Sequence, residues 1–259
     1  MKVDEVLLIT GTDIPFIQAE LVIHQPTIQE IAYIGERAFF TGIHFLNFKK
    51  DMILSTEQLM QVHNVSDFNI LMSMLQDKNP LSQANKTYLE MVLTLMFPDY
   101  QIHFFPSMIA IVKEGGENHI INDTNFDEFK TIIEQMYAMD LPNEKGRRDY
   151  DPADPLARQI VNKIMNGRRK VAQMKNQNSE GQDASIISRY ISILAVGEQK
   201  DINSFKDYTV YQLFDEFRRF ILKQNFDINL RMRMAGAQDL EQPEDWMQDF
   251  HSAFSEDMI

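Results

Sequence analysis

Apolar residues recur at three- and four-residue spacings in one stretch near the C-terminal end, and this stretch constrains the fold most strongly. The apolar positions are Val210, Leu213, Phe214, Phe217, Phe220 and Ile221. This spacing places them on one side of a helix. Asp215 and Arg219, which are four residues apart, form a favourable charged pair on the other side. The sequence therefore predicts an amphipathic helix that packs against other elements.

The residues after Gln224 are compatible with either a helix or a strand. Five apolar residues alternate with polar or charged ones: Phe226, Ile228, Leu230, Met232 and Met234. A period of two suits a strand, whereas the four-residue spacing of Phe226, Leu230 and Met234 suits a helix that Gly236 could end. A helix is favoured because Leu, Met and Arg are good helix formers. Pro243 is then expected to open a short last helix that carries the single tryptophan, Trp246.

The composition excludes several classes of protein. With 259 residues, 44% of them hydrophobic and 24% charged, the chain is long and apolar enough to bury a core. The absence of cysteine excludes disulfides, Fe–S clusters and cysteine nucleophiles. A formal charge of −13 disfavours non-specific nucleic-acid binding. The N-terminal residues do not resemble a signal peptide, and no window is apolar enough to span a membrane, so a soluble cytoplasmic protein is expected.

The first 140 residues read as an α+β domain. Residues 5–9 and 16–24 are β-rich and are joined by a turn, which predicts a hairpin. Thr27 and Glu30 have the spacing of a capping box, so a helix is expected to begin there and to end near Gly42. Asn125 and Glu128 indicate a second capping box. Further helices are predicted at residues 68–76 and 82–97, and a small antiparallel meander is predicted at residues 100–105, 108–113 and 119–121.

The predicted domain boundary lies at residues 141–155, which are rich in Pro, Gly and Asp and lack periodicity. The expected organisation is an α+β domain over 1–140, a linker over 141–155 and an all-α domain over 156–259. Helices are predicted at 156–175 and 186–196, the second closed by Gly197, and the polar residues 176–184 are expected to form a hinge.

No arrangement of residues indicates catalysis, a cofactor or a metal site. The six histidines are scattered, and no two have the i, i+4 spacing of a helical zinc pair. Asp149, Asp151 and Asp154 lack the glycine and the terminal glutamate of a calcium loop, so turn formation is the preferred interpretation. No glycine-rich phosphate loop or nucleophile elbow is present in the sequence. We therefore expect a binding or assembly protein and not an enzyme.

Two segments of the sequence resemble a known group of proteins. They are IHQPTIQEIAYIGERAFF, at residues 23–40, and YQLFDEFRRFILKQNFDINLRMRMAGAQDLEQPEDWMQDF, at residues 211–250. Together they resemble small bacteriophage proteins of tail and baseplate assembly, which include tail assembly chaperones and the group related to baseplate hub proteins. The resemblance implies a non-enzymatic morphogenesis protein that binds a tail or baseplate protein, such as the tape-measure protein, in the host cytoplasm.

Within this resemblance, the candidate partner-binding residues are Phe214, Phe217, Phe226, Met232 and Trp246. The alternative is that these side chains pack the core of the C-terminal domain. Two other functions stay open: a structural tail or baseplate component retained in the virion, and an enzyme with an unrecognised site. The sequence does not specify the partner, the stoichiometry or the oligomeric state.

Overall fold

A computed structural model of the chain describes residues 2–50, 65–76, 79–137 and 185–236, together with residues 242, 246 and 247. The helices are α1 (Glu5–Thr10), α2 (Ile28–Ile34), α3 (Glu36–Leu46), α4 (Asp67–Gln76), α5 (Pro80–Met96), α6 (Phe126–Met136), α7 (Ile186–Glu198) and α8 (Val210–Met234). The strands are β1 (Ile14–Phe16), β2 (Leu21–Ile23), β3 (Gln101–Phe105), β4 (Met108–Val112) and β5 (Asn118–Asn122). The predicted α+β class, with small antiparallel sheets before a helical C-terminal region, is confirmed.

The predicted strand at residues 5–9 is wrong, because these residues form helix α1. The Asp4 side chain caps the helix by accepting a hydrogen bond from Val6 N, and Gly11 ends it in the left-handed conformation. The Gln25 side chain donates to Leu7 O at 2.8 Å, so a carbonyl near the end of the helix gains a partner. The hairpin exists, but β1 and β2 form it within residues 14–23.

Gly35, not Gly42, ends the second helix. The capping box of Thr27 and Glu30 forms as predicted and opens α2. Gly35 then adopts a φ of +87°, which favours glycine, and the chain restarts as α3. Gly42 lies inside α3, where a Cβ atom would be 2.6 Å from the Tyr88 carbonyl oxygen. Gly42 therefore permits the close approach of α3 to α5.

The central part of the chain follows the predictions more closely. β3, β4 and β5 form the predicted meander with antiparallel pairing. Helix α4 begins beside Ser66, whose Oγ accepts a hydrogen bond from Asn69 N at 3.2 Å. The second capping box is wrong, because the Asn125 side chain makes no capping bond. It donates instead to Ile120 O and accepts from Asn122 N, so it ties β5 to the start of α6.

One cluster of buried side chains joins the N-terminal elements to α7 and α8. From the C-terminal region it contains Ile187, Leu194, Phe205, Val210, Tyr211 and Leu213. Polar contacts connect the same parts: Gln212 Nε2 donates to Ile9 O at 2.7 Å. The predicted linker at 141–155, the helix at 156–175 and the hinge near 176–184 lie outside the described residues. The division into domains therefore stays a prediction.

In the parts of the chain that the structure describes, no helix has both the length and the apolar character needed to cross a membrane.

Candidate interaction surface

The N-terminal half of α8 is anchored in the core. Thr209 caps the helix in a capping box with Gln212, which was not recognised in the sequence. The following residues Val210, Tyr211 and Leu213 are buried. Phe214 and Phe217 are half-buried and pack on Tyr190 of α7, with ring centroids 5.3 Å and 3.8 Å from it. This half of the helix is therefore fixed in position by its own fold.

Helices α7 and α8 approach closely at Gly197. A Cβ atom at this position would lie 2.3 Å from the Phe220 ring, so only glycine leaves room for the ring. Gly197 was predicted to close α7, but the helix continues to Glu198 and ends at Gln199. Beside this contact Lys200 pairs with Glu198 and Glu216. Partial burial is the largest single effect and acts to lower the pKa of Lys200, but hydrogen bonds and charge interactions with Glu198 and Tyr208 together outweigh it, so the pKa is raised.

The C-terminal half of α8 carries apolar side chains on the surface. The helix is continuous over 25 residues, which confirms the helical interpretation of residues 226–234. Gly236 follows with a φ of +89°, as expected after a helix end. Exposed fractions are 53% for Ile228, 47% for Leu230, 45% for Met232 and 80% for Met234.

These apolar side chains form two rows, because alternating positions on a helix fall on opposite sides at about 100° per residue. Ile221, Ile228 and Met232 form the first row, which continues the side of α8 that carries Phe214 and Phe217. Leu222, Phe226, Leu230 and Met234 form the second row, roughly 160° away by the same helical rotation. Apolar residues on two sides are typical of a helix that other elements cover.

The end of α8 is locally basic in an acidic chain. Lys223, Arg231 and Arg233 lie in this half of the helix with one acid, Asp227, whereas the whole chain has a net charge of −13. Arg233 Nε donates to Asn229 Oδ1 at 2.7 Å. The apolar rows are thus flanked by positive charge, which favours a binding segment that carries acidic residues.

The structure places the five predicted residues in different surroundings. Phe214 and Phe217 share Tyr190 and pack against the core, as the alternative interpretation has it. Phe226 is half-buried in the second row, and Met232 is exposed in the first row. Trp246 is half-buried, and Lys223 Nζ lies 5.8 Å from its ring centroid. Of the short helix predicted from Pro243, the structure describes Trp246 and Met247, and the remaining residues lie outside the described ones. Met232 alone among the five is broadly accessible to a partner.

Sequence reasoning missed Ile228 and Leu230, although both belong to the alternating run. The alternation of apolar and polar residues could have indicated them, because alternating apolar residues on a helix form two apolar rows instead of one. Among the described residues, no group of three or more Asp, Glu, His or Cys side chains could hold a metal ion.

Comparison with protein families finds one match for this region. Residues 176–251 match the family model of the YomV second domain, and this family derives from a Bacillus prophage. No curated protein and no solved structure matches the chain. The matched range contains α7, α8 and Trp246, so the candidate surface lies within it. The C-terminal part of the chain is therefore similar to a phage-derived domain, which links the protein to bacteriophages.

Proposed function

We propose that the protein is a non-enzymatic bacteriophage morphogenesis protein that binds a tail component, such as the tape-measure protein, during tail assembly. The observation that carries the proposal is the first row on α8, where Ile228 and Met232 are exposed on a helix whose base is fixed in the core. The similarity to a phage-derived domain over the same residues supports the phage part of the proposal.

The first row suits contact with a helical partner. An amphipathic helix binds through apolar residues that share one side, at spacings of three, four and seven residues. Ile221, Ile228 and Met232 have spacings of seven and four and present such a row. Methionine adapts to different neighbours because its side chain is unbranched and flexible. The tape-measure protein is a long helical protein, so it offers many segments of this kind. We expect stoichiometric binding without a chemical step.

Charge supports the same kind of partner. Arg231 and Arg233 flank the first row, whereas the remainder of the chain is acidic. Positive charge beside an apolar row increases the rate of association with an acidic segment and helps to set its orientation. The acidic remainder of the surface disfavours binding of other acidic proteins there. Binding is therefore expected to weaken as salt is raised, since exposed charges are screened.

Co-expression tests the proposal directly. The protein is produced with the tape-measure protein and the other tail and baseplate proteins encoded in the same phage genome, and stable complexes are isolated and sized. We expect one tail protein to co-purify in a fixed ratio, and we expect deletion of the gene to prevent tail formation. Absence of any complex, together with normal tails in the deletion strain, would contradict the proposal. Mass spectrometry of purified virions then separates an assembly factor from a component retained in the particle.

A further inference from the structure

His24 lies directly after β2, and a carboxylate lies beside each of its two ring nitrogens. Nδ1 is 2.9 Å from Oδ1 of Asp13, immediately before β1, and Nε2 is 3.3 Å from Oε2 of Glu30, in the first turn of α2. A neutral imidazole has one N–H group, whereas the imidazolium ion has two. Both carboxylates can therefore accept a hydrogen bond from His24 only when the ring is protonated.

The two segments that His24 joins also hold the start of α8. On one side, Gln212 Nε2 donates to Ile9 O at 2.7 Å, and Ile9 lies in α1, which leads into the loop before β1. On the other side, Thr27 forms the antiparallel β-bridge with Thr209, the residue that caps α8. The histidine thus lies between two supports of the same helix end.

Glu30 connects the histidine to the second of these supports. Its Oε2 accepts hydrogen bonds from Thr27 N at 2.7 Å and from Thr27 Oγ1 at 2.9 Å, so the oxygen beside His24 is also the acceptor of the capping box. The backbone of His24 is itself held, since its N–H donates to Met96 O, at the end of α5, at 2.9 Å. A change at the imidazole therefore reaches the cap of α2 through one shared oxygen atom.

We propose that His24 is a pH-operated clasp at the base of α8, in which the protonated ring ties the loop before β1 to the capping box of α2 and deprotonation releases one of the two. Among the described residues, the charged groups that act on the ring are Asp13 and Glu30, and α5 contributes the Met96 carbonyl group to the backbone. As pH rises through the titration of His24, the base of α8 should loosen. This device does not depend on any partner of α8.

An NMR titration tests the proposal on the intact chain. The ring signals of His24 and the backbone amide signals of Gln212 and Leu213, in the first turn of α8, are followed across the titration range of histidine. These amide signals report displacements within the folded state, so the test does not require unfolding. His24→Gln and Asp13→Asn are the variants, and His103→Gln, which replaces an exposed histidine of β3, is the matched control.

We expect the amide signals of α8 to shift with the same midpoint as the His24 ring. This shift should be lost in His24→Gln and unchanged in His103→Gln. Asp13→Asn removes one negative charge, so the His24 midpoint should fall, and the amide signals should follow it to lower pH.

Stationary amide signals while His24 titrates would overturn the proposal. A shift that persists in His24→Gln, or that keeps its original midpoint in Asp13→Asn, would assign it to another group and would overturn the proposal as well. A failure to bind tail proteins changes none of these results.

Discussion

Thr27 and Thr209 face each other in an isolated antiparallel β-bridge, although 182 positions separate them (209 − 27). Each of the two residues caps a helix with its side chain, Thr27 for α2 and Thr209 for α8. The backbones are joined beside them, since Ile28 N donates to Tyr208 O at 2.8 Å. The start of the helix that carries the candidate surface is thus fixed to the N-terminal part of the chain.

Removing either cap should destabilise the protein, and the two effects should be coupled. Thr27→Ala and Thr209→Ala are each expected to lower the free energy of unfolding by about 1 kcal/mol. Because the two sites are in contact, the double variant should depart from additivity by about 0.5 kcal/mol or more. Urea denaturation of the natural protein, the two single variants and the double variant measures the four free energies of unfolding. Thr87→Ala is the control, since Thr87 is an exposed residue in the middle of α5. Additive effects would show that the bridge does not couple the caps.

Glu36 holds the start of α7. Its carboxylate accepts hydrogen bonds from Ile186 N at 2.7 Å and Ile187 N at 3.3 Å, and Ser185 Oγ also donates to it. A negative charge at a helix N-terminus stabilises the helix by about 0.3–1 kcal/mol. Glu36→Gln should therefore speed hydrogen exchange at Ile186 and Ile187 by a few-fold, whereas the exposed Glu90→Gln should not. Unchanged hydrogen exchange in Glu36→Gln would show that the Glu36 carboxylate does not stabilise the start of α7.

Gly42 should not tolerate a side chain. An alanine Cβ would lie 2.5 Å from Val92 Cγ2 and 2.6 Å from the Tyr88 carbonyl oxygen, and the backbone atom cannot move away easily. Overpacking of this kind destabilises proteins by about 1–3 kcal/mol. Gly116→Ala is a matched control, because its nearest neighbours are atoms of the Lys113 side chain, at 3.1 Å and beyond. Thermal unfolding compares the two. A smaller loss in Gly42→Ala than in Gly116→Ala would contradict the packing described for α3 and α5.

His24 should make stability depend on pH. Its Nδ1 lies 2.9 Å from Asp13 Oδ1, and its Nε2 lies 3.3 Å from Glu30 Oε2. Partial burial acts to lower the pKa of His24, but the hydrogen bonds with Asp13 and Glu30 outweigh burial and the pKa is raised. A raised pKa in the folded state stabilises the fold fully below the unfolded value of about 6.5, and this stability is lost as pH rises through the folded pKa.

The test compares the free energy of unfolding at pH 5.5 and pH 8.5 for the natural protein and for His24→Gln. Both carboxylates are partly exposed, so the contribution should be on the order of 0.2–1 kcal/mol. The natural protein should lose this amount between the two pH values relative to the variant. Identical pH dependence in the two proteins would show that the pairs of His24 with Asp13 and Glu30 do not contribute to the free energy of unfolding.

The sequence was most informative where local chemistry decides the structure. The capping box of Thr27 and Glu30 and the meander of β3, β4 and β5 were predicted because their signals lie within a few residues. Residues 5–9 were assigned wrongly because their apolar run suits a strand. Their helix depends in part on Gln25 and Gln212, whose side chains bind its carbonyl groups from elsewhere in the chain.

Distant contacts explain the other differences. Gly35 and Gly42 could each have ended a helix. The close approach of Tyr88 to Gly42 explains why position 42 needs a glycine inside α3, and the local sequence does not indicate this contact. The candidate surface was predicted in part: Met232 lies on it, whereas Phe214 and Phe217 pack on Tyr190. The contact between Trp246 and Lys223 was not predicted, because no local pattern in the sequence indicates it.

The most direct test of the proposed function is the affinity of the tape-measure protein for variants of the first row. Ile228→Gln and Met232→Gln are compared with the natural protein by titration calorimetry, and Tyr33→Gln serves as a control on α2, where the side chain is 80% exposed. Loss of a central apolar contact should weaken binding by about tenfold or more in the row variants. The control should bind like the natural protein. Undiminished binding by both row variants would contradict the assignment of this surface.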